Sequence, residues 1–165
     1  MIGNDIVDLD LAQKESNWKR KGFLDKIFTK REQILINTAI NSEIMVWNLW
    51  SRKEAAYKIY NRQTGTRAFI SLQLECYDLE ILDGIIFGKV LCNKNIYYTK
   101  TIFSSEFIYS VAAVNREDFE AIQSIKNTNE FIKIDGIPNR FNSQKSILRP
   151  VSISHHGRFS EIITI

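Results

Sequence analysis

Cysteine, proline, histidine and glycine are all scarce in this 165-residue chain, which has two Cys, two Pro, two His and seven Gly. Cys76 and Cys92 form no CxxC pair, so neither a disulfide framework nor a cysteine metal site is indicated, and a reducing compartment is the default. The two histidines are adjacent, His155 and His156, with no cysteine beside them, which leaves a structural zinc short of ligands. The glycines are scattered and make neither GxxxxGK[ST] nor GxGxxG, which removes the main support for P-loop, kinase and dinucleotide readings. No GxSxG elbow marks a hydrolase nucleophile. The chain lacks the roughly eighteen consecutive apolar residues of a membrane span. Its first residues, MIGNDIVDLD, are acidic where a signal peptide would be basic, so a cytoplasmic location is expected. A surplus of charge is missing too: 22 Lys and Arg against 19 Asp and Glu leave +3. That balance argues against nucleic acid as a partner.

What remains is an ordinary globular composition, 44% hydrophobic and 25% charged. A chain of this length buries roughly two thirds of its surface, enough for one core without staples. No linker, repeat or low-complexity tract interrupts it, and residues 1–165 are read as a single domain. Residues Met1 to Val7 read as a short strand broken at Asn4 and Asp5. Residues 11 to 28 are mixed and basic. Thr29 and Glu32 make a capping box for a helix starting near residue 30. A second, longer helix runs from about Ser42 to Asn61, with Trp47, Trp50 and Glu54 beside its apolar stripe and Gly65 as its cap. The period then changes. Phe69 to Tyr77 alternates like a strand, Ile85 to Leu91 and Ile96 to Phe103 form a hairpin, and Glu106 to Val114 is a further strand. Arg116 to Lys126 reads as a short amphipathic helix, Phe131 to Asp135 as a strand before a Gly136-Ile137-Pro138 turn, and 139 to 150 as a loop. VSISHH and FSEIITI close the chain as two strands around Gly157. Helices first and strands after predict an α+β fold.

Three clusters can carry chemistry. In GNDIVDL, Asp8 reads as a turn acid capping the next segment, whereas Asp5 stands open between such a role and a site carboxylate. In WSRKEAAYK, Glu54 and Lys58 lie four apart on one helix face, either as a surface ion pair or as a carboxylate for Mg²⁺ with an ammonium one turn away. In SISHHGR, Ser154 is poorly placed to be activated by His155, and a phosphate-contacting pocket of Ser154, His155 and Arg158 competes with a plain turn. A basic run, Lys19, Arg20, Lys21 and Lys26, reads as either a solvated face or a steering patch.

In this order the clusters resemble the 4'-phosphopantetheinyl transferase superfamily, and its small holo-acyl-carrier-protein synthase type more than the two-lobed type. The pieces are GNDIVDL, FLDKIFTKRE (Phe23 to Glu32), WSRKEAAYK against the pattern W-x-x-K-E-A-x-x-K, GIP (136 to 138) and SISHHGRF. The resemblance implies a long helix packed on an antiparallel sheet. It also implies a Mg²⁺-dependent transfer of phosphopantetheine from coenzyme A to a serine of an apo acyl or peptidyl carrier protein. Carried over, Asp5 and Glu54 would hold the metal, with Glu54, or a water it orients, also helping to take the serine proton. Lys58 would neutralise phosphate, His155 and Ser154 would contact the nucleotide end of coenzyme A, and Lys53 would reach a phosphate or frame the site. The basic run would face the carrier. The sequence departs from the pattern at Asn4, where an apolar or small residue is usual. Its 68–130 segment is also longer than in the smallest members. Those members form homotrimers and the larger ones work as monomers, so the resemblance leaves both states open. The alternative class is a non-catalytic carrier-protein or coenzyme A-binding module on the same fold.

Overall fold

A computed structural model describes residues 1–126, 131–134, 136–142 and 147–165. Helices come first, apart from one strand: β1 (Ile2–Asp8), α1 (Leu9–Glu15), α2 (Phe23–Ile27), α3 (Lys30–Thr38) and α4 (Ser42–Thr64). A 3₁₀ turn at Ser71–Gln73 leads into the hairpins β2 (Leu74–Leu82), β3 (Ile85–Cys92), β4 (Asn95–Phe103) and β5 (Phe107–Ala113). Then follow α5 (Asp118–Ala121), β6 (Gln123–Ser124), β7 (Phe131–Ile134), β8 (Ile137–Asn142), β9 (Ile147–His156) and β10 (Phe159–Thr164). The strands make two antiparallel sheets, ordered β1-β5-β4-β3-β2 and β6-β10-β9-β8-β7. The α+β class and the long helix on an antiparallel sheet are as expected.

Helix α4 is the spine. Asn41 caps its first turn by accepting from the Ile44 amide, and Gly65, at φ 71°, ends it in the left-handed conformation that glycine adopts without strain. Val46, Leu49, Ala56 and Ile59 face the first sheet, where Leu74, Val90, Tyr97 and Ile108 complete the main core. Helix α3 begins at the expected capping box, in which Thr29 and Glu32 exchange bonds with each other's backbone. The other oxygen of Glu32 continues inward to the Cys76 amide, so one cap also ties α3 to β2.

β1 lies at an edge of the first sheet, yet residues on both of its faces are buried. One face meets α4. Gly3 makes that approach possible, because a Cβ there would stand 2.1 Å from the Ala55 carbonyl oxygen. The other flank of β1 meets β9 and β10, and the joint is made by side chains. The alternate amides of Asn4, Ile6 and Asp8 donate to Ser152 Oγ at 2.9 Å, Ser154 Oγ at 2.8 Å and His156 Nδ1 at 2.9 Å. The carbonyls of Ile2 and Asn4 accept from Arg62 and Lys58, which reach across to the carbonyls of Val151 and Ile153. The period of two along β1 matches the period of two in S-x-S-x-H, so every other residue of β9 meets an outward amide. This side-chain seam joins the two sheets and satisfies backbone groups that an open edge would leave bare.

Several expected elements differ. β1 runs unbroken through Asn4 and Asp5, because β5 pairs with it along its full length. The basic 11–28 stretch is two short helices with a turn between them. The strand expected from Phe69 starts at Leu74, since Phe69 turns in to stack edge-on against Trp50 and Tyr57. The helix expected over 116–126 is one turn, Asp118–Ala121, followed by β6 on the flank of β10. Much of the 139–150 loop is strand, β8 pairing with β9 from Asn139↔Pro150 to Asn142↔Ile147, while 143–146 and Asp135 lie outside the described residues.

Candidate active site

Asp5 sits mid-strand on β1, on the face that turns towards α4, two residues along from the close approach at Gly3. Glu54 reaches the same place from the middle of α4. The two carboxylates line one cleft of about 220 Å³ with Val7, Ala12, Trp47, Trp50, His155 and His156. Trp47, Trp50, Glu54 and Lys58 follow one another at three- and four-residue steps, so a single helix face builds one wall. β1 and the β9–β10 hairpin supply the other.

The electrostatics of this cleft are unusual for a soluble protein surface. Burial pushes the Asp5 carboxyl up to about 6, against the opposing pull of Lys58 and of hydrogen bonds from Ser154 and Ser51. Glu54 rises further, to about 7, through burial first and the neighbouring Asp5 charge second, with Lys58 pulling the other way. Two acids held this way attract a cation, because a dication relieves both the desolvation and the mutual repulsion. Among the described residues no group of three or more His, Cys, Asp or Glu side chains gathers as a metal site. A pair of carboxylates is nonetheless what Mg²⁺ uses when waters and substrate phosphates complete its shell. Asp5 and Glu54 are therefore the residues that can hold such an ion.

Lys58 is one turn beyond Glu54, with Nζ 3.8 Å from Asp5 Oδ1. The same ammonium donates to Asn4 O at 2.6 Å and Ile153 O at 3.0 Å, and burial lowers its pKa. It is thus both a clamp on the seam and the cation nearest the acid pair. Lys58 also lines a second hollow with Tyr57, Asn61, Arg62 and Gly136 to Pro138, which places the GIP stretch beside it. Ser154 is 4% exposed and lies against Asp5, donating to Oδ1 at 3.1 Å. His155 is exposed on the cleft rim, whereas His156 turns back to accept from the Asp8 amide.

Lys53 is not brought to the cleft. It points into the core, fully buried, where Nζ pairs with Glu32 at 2.6 Å and donates to Ile27 O and Ser71 O. Consecutive helix residues point about a quarter turn apart, so Lys53 and Glu54 cannot share a target. Asp8 behaves as the capping acid expected. It ends β1, accepts from the Asp10 and Leu11 amides, and is held ionised by a two-pronged contact with Arg158 that keeps its carboxyl well below the usual range. Sequence reasoning assigns no site role to Trp47, His156 or Arg62. For Trp47 the helical spacing to Trp50 and Glu54 was the available signal.

The 4'-phosphopantetheinyl transferase superfamily profile matches residues 1–111, which take in Asp5, Glu54 and Lys58. The chain belongs to this superfamily. Membership brings a general role in phosphopantetheinyl transfer chemistry and the enzymatic potential that goes with it. The matched residues end within β5, so the seam strands β9 and β10, with Ser154 and His155, lie beyond them. No curated protein matches the chain. No helix among the described residues is long and apolar enough to cross a membrane.

Proposed function

We propose that the protein is a Mg²⁺-dependent 4'-phosphopantetheinyl transferase of the holo-acyl-carrier-protein synthase kind. In this reading it moves phosphopantetheine from coenzyme A to a serine of an apo acyl or peptidyl carrier protein and releases adenosine 3',5'-bisphosphate. The observation that carries this reading is the pair of half-buried carboxylates, Asp5 and Glu54, with a lysine one turn away, at a cleft in a chain of this superfamily. The donor set suits a hard dication: carboxylate oxygens, no soft ligand, and acids whose protons a divalent ion displaces. Bound there, Mg²⁺ supplies charge neutralisation of the pyrophosphate.

The chain's own residues do the rest. Lys58 adds positive charge beside the phosphates without taking a ligand position. Glu54, or a water it orients, would help take the proton of the incoming serine hydroxyl. His155 on the rim is placed for the nucleotide end. Trp50, Trp47 and Val7 supply apolar lining to the rest of the cleft. Attack on a phosphorus already aligned needs no covalent enzyme intermediate. Lys19, Arg20, Lys21 and Lys26 are all exposed, on the turn before α2 and on α2 itself, and would meet an acidic carrier surface.

The test is intact mass of apo carrier proteins incubated with the protein, coenzyme A and Mg²⁺. A gain of about 340 Da, one phosphopantetheine arm, with loss of the gain in EDTA, is the expected result. Coenzyme A binding without any gain on carriers would instead favour a binding module, and binding of neither would overturn the reading. Sizing with coenzyme A present tells a trimer from a monomer.

A further inference from the structure

Ser154 combines three features that together exceed a seam contact. Its Oγ accepts the Ile6 amide at 2.8 Å, so the hydroxyl is oriented by the backbone of β1. A serine hydroxyl has one proton. That proton is directed at Asp5 Oδ1, 3.1 Å away, and with 4% exposure the group has no solvent to bond instead. Ser152 is its counterpart two residues earlier, accepting the Asn4 amide at 2.9 Å, but Ser152 has no contact with either carboxylate. The two serines therefore do the same work for the backbone, and only one of them also addresses the acid pair.

We infer that Ser154 is a positioning residue, which sets the rotamer of Asp5 and so the placing of its carboxylate for a divalent cation. The inference rests on the metal reading under Proposed function, and it replaces the expected contact between Ser154 and coenzyme A. With its hydroxyl proton committed to Asp5, Ser154 has no donor left for a phosphate. Lys58 addresses the same oxygen from 3.8 Å. The carboxylate thus carries the Ser154 hydrogen bond on Oδ1, the Lys58 charge beyond hydrogen-bond reach of the same atom, and a further hydrogen bond from Ser51. Outer partners of this kind orient a ligand and tune its basicity.

The experiment titrates Mn²⁺ into the full chain with coenzyme A present, reading free ion by EPR, with coenzyme A alone as the blank. Wild type, Ser154→Ala and Ser152→Ala are compared, and KM for coenzyme A is measured at saturating Mg²⁺. Ser154→Ala should weaken Mn²⁺ binding about tenfold or more, the usual effect of losing an outer-shell partner. Ser152→Ala, which orphans an equivalent amide, should change it by less than about twofold on the same scale. KM for coenzyme A at saturating metal should stay put in both. Equal weakening in the two variants would assign the effect to the seam and overturn the inference. Unchanged Mn²⁺ binding in Ser154→Ala would overturn it too, as would a raised KM for coenzyme A with metal binding intact. Wild type that binds no Mn²⁺ would instead remove the metal reading itself. Should Ser154→Ala not fold, Ser154→Cys keeps the volume with a weak donor and must show the same ordering against Ser152→Ala.

Discussion

Removing the charge of Glu54 should stabilise the protein, by an amount that grows as pH rises from about 4.5 to about 7 and is full above that. In the folded state the carboxyls of Asp5 and Glu54 sit at about 6 and about 7, raised from ordinary values of 3.8 and 4.5. The folded protein thus holds protons that the unfolded chain has already released. Stabilisation from each group is full below about pH 4 and is lost as pH rises through 6 to 7. At 1.36 kcal/mol per pKa unit, the loss for Glu54 is on the order of 3 kcal/mol by about pH 8. Glu54→Gln escapes it and also relieves Asp5 of a like charge. In EDTA at about pH 8 the variant should therefore exceed wild type by ~3 kcal/mol, with the difference closing towards pH 4.5. For a chain of this size, that corresponds to roughly 6 to 12 °C in Tm. Urea unfolding at a series of pH values, with and without Mg²⁺ and coenzyme A, reads it directly. Ligands should restore wild type and leave Glu54→Gln unmoved. A variant less stable than wild type at pH 8, or a difference that does not vary with pH, would refute the claim that burial of paired charge sets this site.

Other perturbations probe the frame around the cleft. Gly3→Ala puts a methyl 2.1 Å from the Ala55 carbonyl oxygen and should cost about 3 kcal/mol in urea unfolding. Turnover should fall as well, since Asp5 shifts away from Glu54. Lys53→Met strands the buried Glu32 carboxylate and should destabilise by about 3 to 5 kcal/mol, with part recovered on adding Glu32→Gln. Coenzyme A binding by whatever folded protein remains should be unaffected. Lys21→Glu with Lys26→Glu should raise KM for the carrier protein, more at low salt, with no change in stability.

What could be read in the sequence was local. Thr29 and Glu32 stand three apart and Gly65 follows the last periodic turn of α4, so those helix ends follow from spacing alone. Asp5, Glu54 and Lys58 were found because they fall in ordered motifs, and the structure brings all three to one place. The misses have physical causes. Pro138 reads as part of a turn and 139 to 150 as a polar loop, yet Pro138 and Pro150 each stand within a strand, β8 and the start of β9. Lys53 was drawn to the site by its neighbour in the motif, whereas its partner Glu32 comes from another helix and its role shows only in the packed core. The seam was out of reach for the same reason: Ser152, Ser154 and His156 meet residues 148 positions earlier. Their alternate spacing is visible in the sequence, but nothing local says which amides they meet.

The order in which the chain leaves the ribosome gives the seam a further meaning. Both acids of the cleft are made with β1 and α4, well before β9, and β5, which covers one side of β1, is complete by Ala113. The outward amides of Asn4, Ile6 and Asp8 wait until Ser152 to His156 have emerged. Through that interval a nascent chain carries β1 as an unprotected edge, open to pairing with any other extended segment. β9 and β10, made well after β1, are therefore a cover as well as a wall. Loss of the final hairpin should show as aggregation during synthesis before it shows as lost turnover.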